Sequence, residues 1–119
     1  MQSQSTPIIN HYVALIKIKS LNDSLALVEE IARKIITGLD LKVVERVSHL
    51  FYPRGITLAY ILSESHLLIH SWPEFGTIHI DLVTCSYRSM KKFEDTLKLA
   101  FPDNVDYMKI KSVNFDDEK

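Results

Sequence analysis

The sequence predicts an α+β fold: a two-layer sandwich in which a mainly antiparallel sheet carries two helices on one face. The predicted elements follow the order β-α-β-β-β-β-α-β, and most neighbouring strands are joined by turns too short for a parallel crossover. The 119 residues, 46% of them hydrophobic, suit a single domain, 1–119, with one core. The opposite face of the sheet then needs cover, which a second copy of the chain would supply most simply.

Six segments predict strands, because they are rich in β-branched or aromatic residues or alternate apolar with polar side chains. These segments are residues 11–19, 42–50, 56–62, 65–71, 77–84 and 107–115. The alternation is clearest in the fifth, where Ile78, Ile80 and Leu82 share one face. Residues 52–55 predict a turn, and residues 72–76 break the strand pattern.

Two segments with apolar residues at helical spacing predict helices. The first begins at an N-cap, Asn22 or Asp23, and runs to about Thr37, with Gly38 as its stop. Its predicted buried face consists of Leu25, Val28, Ala32, Ile35 and Ile36. The second helix runs over 90–101 and is ended by Pro102, and its predicted face consists of Met90, Phe93, Leu97 and Phe101. Residues 1–9 are expected to form a loose arm, and residues 116–119 an acidic tail.

Composition narrows the classes of function. The net charge of −1, from 14 basic and 15 acidic residues, gives no electrostatic reason to expect nucleic acid. No apolar run approaches the ~20 residues that span a bilayer, and the N-terminus lacks the pattern of a signal peptide. The single cysteine, Cys85, excludes an internal disulfide and fits a reducing compartment. We therefore expect a cytoplasmic protein that binds neither nucleic acid nor a membrane.

Reactive side chains are concentrated between residues 63 and 85. Ser65, His66, His70 and Cys85 all lie in this interval. Alternation along a strand puts His66 and His70 on one face and Ser65 on the other. Each residue also has an ordinary structural explanation, since a strand cysteine is commonly a small core residue and a serine near a turn commonly stabilises the turn.

Three reactive interpretations remain open from the residues alone. The first is a zinc site, for which the candidate ligands are His66, His70, His79 and Glu64 or Glu74. The second is a cysteine hydrolase that uses Cys85, His70 and a carboxylate. In the third, the hydroxyl of Ser65 attacks the carbonyl before it, and a base then drives β-elimination that leaves a pyruvoyl group. Spacing does not select among the three.

Three segments carry a resemblance to a known family. They are Glu64-Ser65-His66, Ile69-His70-Ser71-Trp72-Pro73-Glu74 and Asp81-Leu82-Val83-Thr84-Cys85. They resemble the pattern E-S-H-x-x-I-H-T-W-P-E followed by D-x-x-T-C-G of the prokaryotic S-adenosylmethionine decarboxylases. Residues 48–55 are similar to the family segment that precedes the processing strand. The resemblance covers roughly residues 10–113, and it identifies the chain as a member of a pyruvoyl-dependent, self-processing family.

The resemblance implies that the chain cuts itself between Glu64 and Ser65. The products would be a β chain, 1–64, and an α chain, 65–119. Ser65 would become the pyruvoyl group, so the cofactor is self-generated, and His70 would be the base for β-elimination. Thr57 stands where the family usually has a serine that supports processing.

The resemblance also implies the reaction. S-adenosylmethionine would form a Schiff base with the pyruvoyl carbonyl, which takes up the electrons released with CO₂, and Cys85 would protonate the substrate α-carbon. Phe51 and Trp72 match positions that contact the adenine, and Glu74 matches the carboxylate that binds the ribose hydroxyls. The product would serve spermidine synthesis, and the processed protomers would form a homodimer with active sites near the interface.

Several residues depart from the family pattern, and the first strand lacks the glycine that usually precedes its histidine, here His11. Ser86 replaces a glycine, Thr57 a serine, Leu58 a glycine and Ser71 a threonine. None of these changes removes a group that processing needs. Two alternatives stay open: a pyruvoyl-dependent arginine or ornithine decarboxylase on the same scaffold, and a homologue that never cleaves and is not catalytic.

Overall fold

A computed structural model of the chain describes residues 7–101 and 104–115. Its elements are β1 (Asn10–Ile18), α1 (Leu25–Gly38), β2 (Val43–Leu50), β3 (Ile56–Leu62), β4 (Ser65–Trp72), a 3₁₀ turn (Pro73–Phe75), β5 (Thr77–Thr84), α2 (Met90–Ala100) and β6 (Val105–Ser112). The predicted element order is confirmed, and β6 ends three residues earlier than predicted. The start of the predicted arm (1–6), Pro102 and the acidic tail lie outside the described residues. Neither described helix is long and apolar enough to cross a membrane.

The strands form one antiparallel sheet in the order β2-β3-β4-β5-β1-β6. Strands β2 to β5 follow one another as a meander, and β5 then pairs with β1. β1 also pairs with β6, so it lies between the fifth and sixth strands of the chain. The order places β4 and β5, which carry most of the reactive side chains, in the middle of the sheet.

Both helices cover the same face of this sheet. Alternate strand residues such as Leu58, Ile69 and Ile80 point toward the helices and are completely buried. From the helices, Ile31 and Phe93 complete the core, although the predicted face of α1 did not include Ile31. Burying a side chain of this size contributes about 1.5–3 kcal/mol. The predicted two-layer sandwich is therefore confirmed.

The beginning of α1 differs from the prediction. Ser24, rather than Asn22 or Asp23, is the N-cap, and its side chain accepts a hydrogen bond from the backbone N–H of Leu27 at 3.1 Å. Asp23 is instead drawn into a contact with the turn before β3. Three capping residues follow one another here, and a tertiary contact decides among them.

The end of α1 also differs from the prediction. Gly38 is the last helical residue rather than the stop, and the residue in the left-handed region is Asp40, with φ of 55°. A Cβ on Gly38 would lie 2.8 Å from Cγ2 of Thr96 on α2. Glycine at this position therefore allows the two helices to approach closely.

No element within the described ranges covers the other face of the sheet. The five histidines of the chain all lie on it: His11, His49, His66, His70 and His79. The register sets Thr57, His70 and His79 side by side on β3, β4 and β5. The predicted alternation, with His66 and His70 on one face, is confirmed. This face also exposes large apolar side chains, including Leu15 and Ile61.

Candidate active site

The Glu64–Ser65 peptide bond lies where the tight turn after β3 enters β4. Ser65 has φ of 125°, a backbone conformation that residues with a side chain rarely adopt. Its hydroxyl oxygen lies 3.9 Å from Sγ of Cys85. The turn therefore presents a strained serine directly after a carboxylate residue, and the strain is stored beside the bond that self-cleavage would break.

The carbonyl oxygen of Glu64 accepts two hydrogen bonds from Cys85. The backbone N–H of Cys85 donates at 3.1 Å, and its thiol donates at 3.3 Å. The pairing of β4 with β5 produces this contact, since Ser65 is the register partner of Thr84 and Cys85 follows directly. Negative charge would develop on this oxygen if a hydroxyl attacked the Glu64 carbonyl. The two donors are therefore placed as in an oxyanion hole.

The side chain of Glu64 is held as well. Ser86 donates its hydroxyl proton to the Glu64 carboxylate, and the guanidinium of Arg88 donates to Ser86 Oγ at 2.6 Å. Sequence reasoning missed Arg88. The one signal that pointed here was the serine at position 86, where the family pattern has glycine.

A second cluster lies at the far end of β4. Thr57 Oγ1 and His70 Nδ1 share a hydrogen bond of 2.9 Å, and the ring centroids of His70 and Trp72 are 5.8 Å apart. The cluster opens onto a cavity of about 380 Å³, lined by Phe51, Arg54, Gly55, Thr57, His70, Ser71, Trp72 and Glu74. The structure therefore brings the predicted substrate-binding residues together with the predicted base.

The environment of His70 keeps its imidazole neutral. Burial lowers the pKa of His70 below its ordinary value of 6.5, and the neighbouring imidazole of His79 lowers that pKa further. The carboxylate of Asp81 acts in the opposite direction but does not reverse the shift. A neutral imidazole near pH 7 can accept a proton, as a general base must.

Asp23 holds the rim of this cavity. One carboxylate oxygen accepts the N–H of Gly55 at 2.9 Å, and the other accepts the hydroxyl of Ser71 at 2.8 Å. Ser71 Oγ in turn accepts the N–H of Ile56 at 2.9 Å. Sequence reasoning missed this role, because Asp23 and Gly55 are 32 positions apart and no local pattern joins them.

The two clusters are separated within one chain. Ser65 and His70 are five residues apart on β4, which is about 16 Å at ~3.3 Å per strand residue. His70 is therefore out of reach of Ser65 in the same chain. The cysteine-hydrolase interpretation meets the same obstacle, since Cys85 belongs to the Ser65 end of the strand.

The zinc interpretation has no geometric support in the part of the chain that the structure describes. Within residues 7–101 and 104–115, no three His, Cys, Asp or Glu side chains converge as metal ligands would. His66 instead shares the carboxylate of Asp81 with His11. The Nε2 atoms of these two histidines lie 3.6 and 3.0 Å from Asp81 Oδ1.

Comparison with known proteins decides the family. The family model described as S-adenosylmethionine decarboxylase matches residues 11–113. The chain belongs to the S-adenosylmethionine decarboxylase family. That match covers both clusters, so the signature and the fold lie in one matched region.

Relatives of known name agree with this family. The S-adenosylmethionine decarboxylase proenzyme of Clostridium botulinum, strain Hall, is 47% identical over 57 residues, which are 48% of this chain and 49% of the relative. The proenzyme of Picrophilus torridus is 40% identical over 62 residues, which are 50% of this chain and 48% of the relative. The chain spans about half the length of the curated relatives it matches.

A solved structure shares the fold. The crystal structure of the adenosylmethionine decarboxylase from Aquifex aeolicus VF5 has a TM-score of 0.77 to this chain at 21% sequence identity. The match covers 97% of this chain and 98% of that chain. The α+β sandwich is therefore shared along nearly the whole described chain.

Proposed function

We propose that this member of the S-adenosylmethionine decarboxylase family is a cytoplasmic, pyruvoyl-dependent carboxy-lyase. It cuts itself between Glu64 and Ser65 and then decarboxylates S-adenosylmethionine, whose product serves spermidine synthesis. The observation that carries this proposal is the strained Ser65, preceded by a carbonyl that Cys85 contacts with two donors. The word proenzyme in the names of the relatives supports a precursor that is processed.

The first stage of processing is an N-to-O acyl shift at Ser65. Ser65 Oγ bonds to the carbonyl carbon of Glu64, the bond from that carbon to the Ser65 nitrogen breaks, and the hydroxyl proton moves to this nitrogen. The amide thereby becomes an ester. Cys85 stabilises the negative charge on the carbonyl oxygen during the attack, through the N–H and thiol that already contact it.

The second stage releases the two chains. A base removes the Cα proton of Ser65, the ester carboxylate of Glu64 leaves, and the β chain, 1–64, is complete. The dehydroalanine that begins the α chain, 65–119, tautomerises and hydrolyses, which releases ammonia and leaves the pyruvoyl group. That group would supply an electron sink for decarboxylation.

The separation of the two clusters supports a homodimer. Two sheets packed through their uncovered faces lie about 10 Å apart. If β4 of one copy runs antiparallel to β4 of the other, the Ser65 end of each chain meets the His70 end of its partner. His70 and Thr57 of one copy would then lie opposite the partner's Glu64–Ser65 turn, which neither reaches in its own chain.

The cavity supports S-adenosylmethionine as the substrate. Phe51 and Trp72 offer aromatic faces for a flat base and for the sulfonium beside it, since a cation is attracted to ring faces. The carboxylate of Glu74 can accept hydrogen bonds from ribose hydroxyls. Arginine and ornithine contain neither adenine nor ribose, so these three side chains favour the nucleoside substrate.

Intact mass under denaturing conditions tests the processing. The expected result is two chains that break between Glu64 and Ser65, the second with a pyruvoyl end. The variant Ser65→Ala should remain one chain, of about the 13.7 kDa of the full sequence. A wild-type chain that stays whole on long incubation would refute self-cleavage and favour the non-catalytic homologue.

Release of CO₂ tests the substrate. S-adenosylmethionine, arginine and ornithine are supplied separately to the processed protein, with the uncleaved Ser65→Ala chain as the blank. We expect release from S-adenosylmethionine alone. Release from arginine or ornithine without release from S-adenosylmethionine would refute the proposed substrate while leaving the pyruvoyl mechanism intact.

A further inference from the structure

A row of hydrogen bonds, called the relay below, connects the end of α1 to the cleavage site through Arg88, Ser86 and Glu64. Its middle member is Ser86, which donates its hydroxyl proton to the carboxylate of Glu64. The family pattern has glycine at this position, and glycine has no group that could make this bond. The relay is therefore built from a residue that distinguishes this chain from the family pattern.

Arg88 determines the direction of the relay. Its Nη1 donates to Ser86 Oγ at 2.6 Å, so the hydroxyl of Ser86 is left to donate toward Glu64. Arg88 is itself fixed by the end of α1, since its Nε donates to the carbonyl of Leu39 at 2.6 Å and its Nη2 to that of Asp40 at 2.9 Å. Helix-terminal carbonyls carry partial negative charge, which favours a guanidinium there.

The backbone of Ser86 is fixed from the other side. Its carbonyl oxygen accepts the hydroxyl of Thr84 at 2.9 Å and the side-chain amide of Asn10 at 3.0 Å. Ser86 is thus bound both through its main chain and through its side chain. Because Ser86 is itself fixed, its hydroxyl can fix the position of the Glu64 side chain.

We propose that Ser86, oriented by Arg88, is a positioning residue for self-cleavage. It fixes the side chain of Glu64, and thereby keeps the Glu64 carbonyl directed at the donors of Cys85 and open to Ser65 Oγ. It also spreads the charge of the Glu64 carboxylate toward a guanidinium, which reduces repulsion of the oxyanion that forms on the same residue. This inference rests on the proposed self-cleavage.

The test compares rates of cleavage in freshly translated precursors, read as the appearance of the two shorter chains. Ser86→Ala should slow cleavage about tenfold, the rate equivalent of one hydrogen bond to a charged group. Ser86→Thr restores the hydroxyl and should cleave within about threefold of the wild type. Ser63→Ala, at an exposed serine in the same turn, is the control and should leave the rate unchanged.

A double variant separates positioning from general loosening of the turn. Glu64→Ala and Ser86→Ala remove the two ends of one interaction, so their effects on the rate should not add. Additive slowing would overturn the relay, as would wild-type rates in Ser86→Ala or no rescue in Ser86→Thr. A wild-type chain that never cleaves would instead refute the proposed function itself, so the two failures are distinguishable.

Discussion

Replacing Asp23 with alanine should destabilise the chain by about 2 kcal/mol. The carboxylate accepts the N–H of Gly55 and the hydroxyl of Ser71, and both donors are buried. Ser71 is only 5% exposed, so water replaces the lost acceptor poorly. A buried donor left without a partner costs about 1–3 kcal/mol. The figure of about 2 kcal/mol counts the loss at the N–H of Gly55, whose direction the backbone fixes.

Asp23→Asn should lower the free energy of unfolding by less, about 1 kcal/mol. The amide oxygen can still accept from the N–H of Gly55, while the amide NH₂ faces the hydroxyl of Ser71. That hydroxyl oxygen already accepts the N–H of Ile56, so it must also serve as the acceptor for the amide. The chain with Asp23 should therefore be the most stable, Asp23→Asn the next and Asp23→Ala the least stable.

Urea unfolding measures these differences. All variants carry Ser65→Ala, so that every sample is one uncleaved chain, and all are compared at one protein concentration. Asp95→Ala is the matched control, because within residues 7–101 and 104–115 the Asp95 carboxylate makes only an exposed ion pair with Lys91. Its loss should change the free energy of unfolding by less than about 0.5 kcal/mol. Equal free energies of unfolding for Asp23→Ala and Asp95→Ala would refute the role assigned to Asp23.

Asp23→Ala should also weaken substrate binding more than it slows the chemical step. The N–H of Phe51 donates to the carbonyl of Gly55 at 2.8 Å, so Phe51 is tied to the turn that Asp23 holds. Loosening that turn removes an aromatic wall of the cavity and leaves the groups around Ser65 in place. In a processing-competent background we expect KM to rise more than kcat falls. A fall in kcat at constant KM would contradict this reasoning.

Three further predictions concern processing, turnover and stability. If neutral His70 is the base for cleavage, as proposed, the rate of cleavage should rise with pH through a midpoint below 6.5. His79→Gln should raise that midpoint and Asp81→Asn should lower it, and shifts in the reverse directions would contradict the assigned causes. Cys85→Ala keeps the backbone N–H that contacts the Glu64 carbonyl, so it should still cleave but lose most CO₂ release, and full turnover would exclude the thiol as proton donor. Gly76→Ala should lower the free energy of unfolding by about 2 kcal/mol or more, because φ is 57° and the added Cβ would lie 2.7 Å from a backbone carbonyl oxygen. An unchanged midpoint of urea unfolding would refute that geometry.

Local sequence patterns were sufficient to predict the strands and helices and to identify the family. The alternation of Ile78, Ile80 and Leu82 predicts β5 correctly, because the period of a strand is visible in neighbouring residues. The signature around Ser65 and Cys85 likewise consists of short segments, each continuous along the chain. Local pattern failed where several residues have the same propensity: Asn22, Asp23 and Ser24 can each cap a helix, and only a contact with Gly55 draws Asp23 away.

The sequence by itself determined which side chains this protein has for the proposed self-cleavage, and on which elements they lie. Only the tertiary structure decided which of them meet. Strand pairing brings Cys85 onto the carbonyl of Glu64, 21 positions away, while the extended backbone of β4 carries His70 out of reach of Ser65. The physical reason is that proximity in a sheet depends on register between strands, whereas distance along a strand grows with every residue.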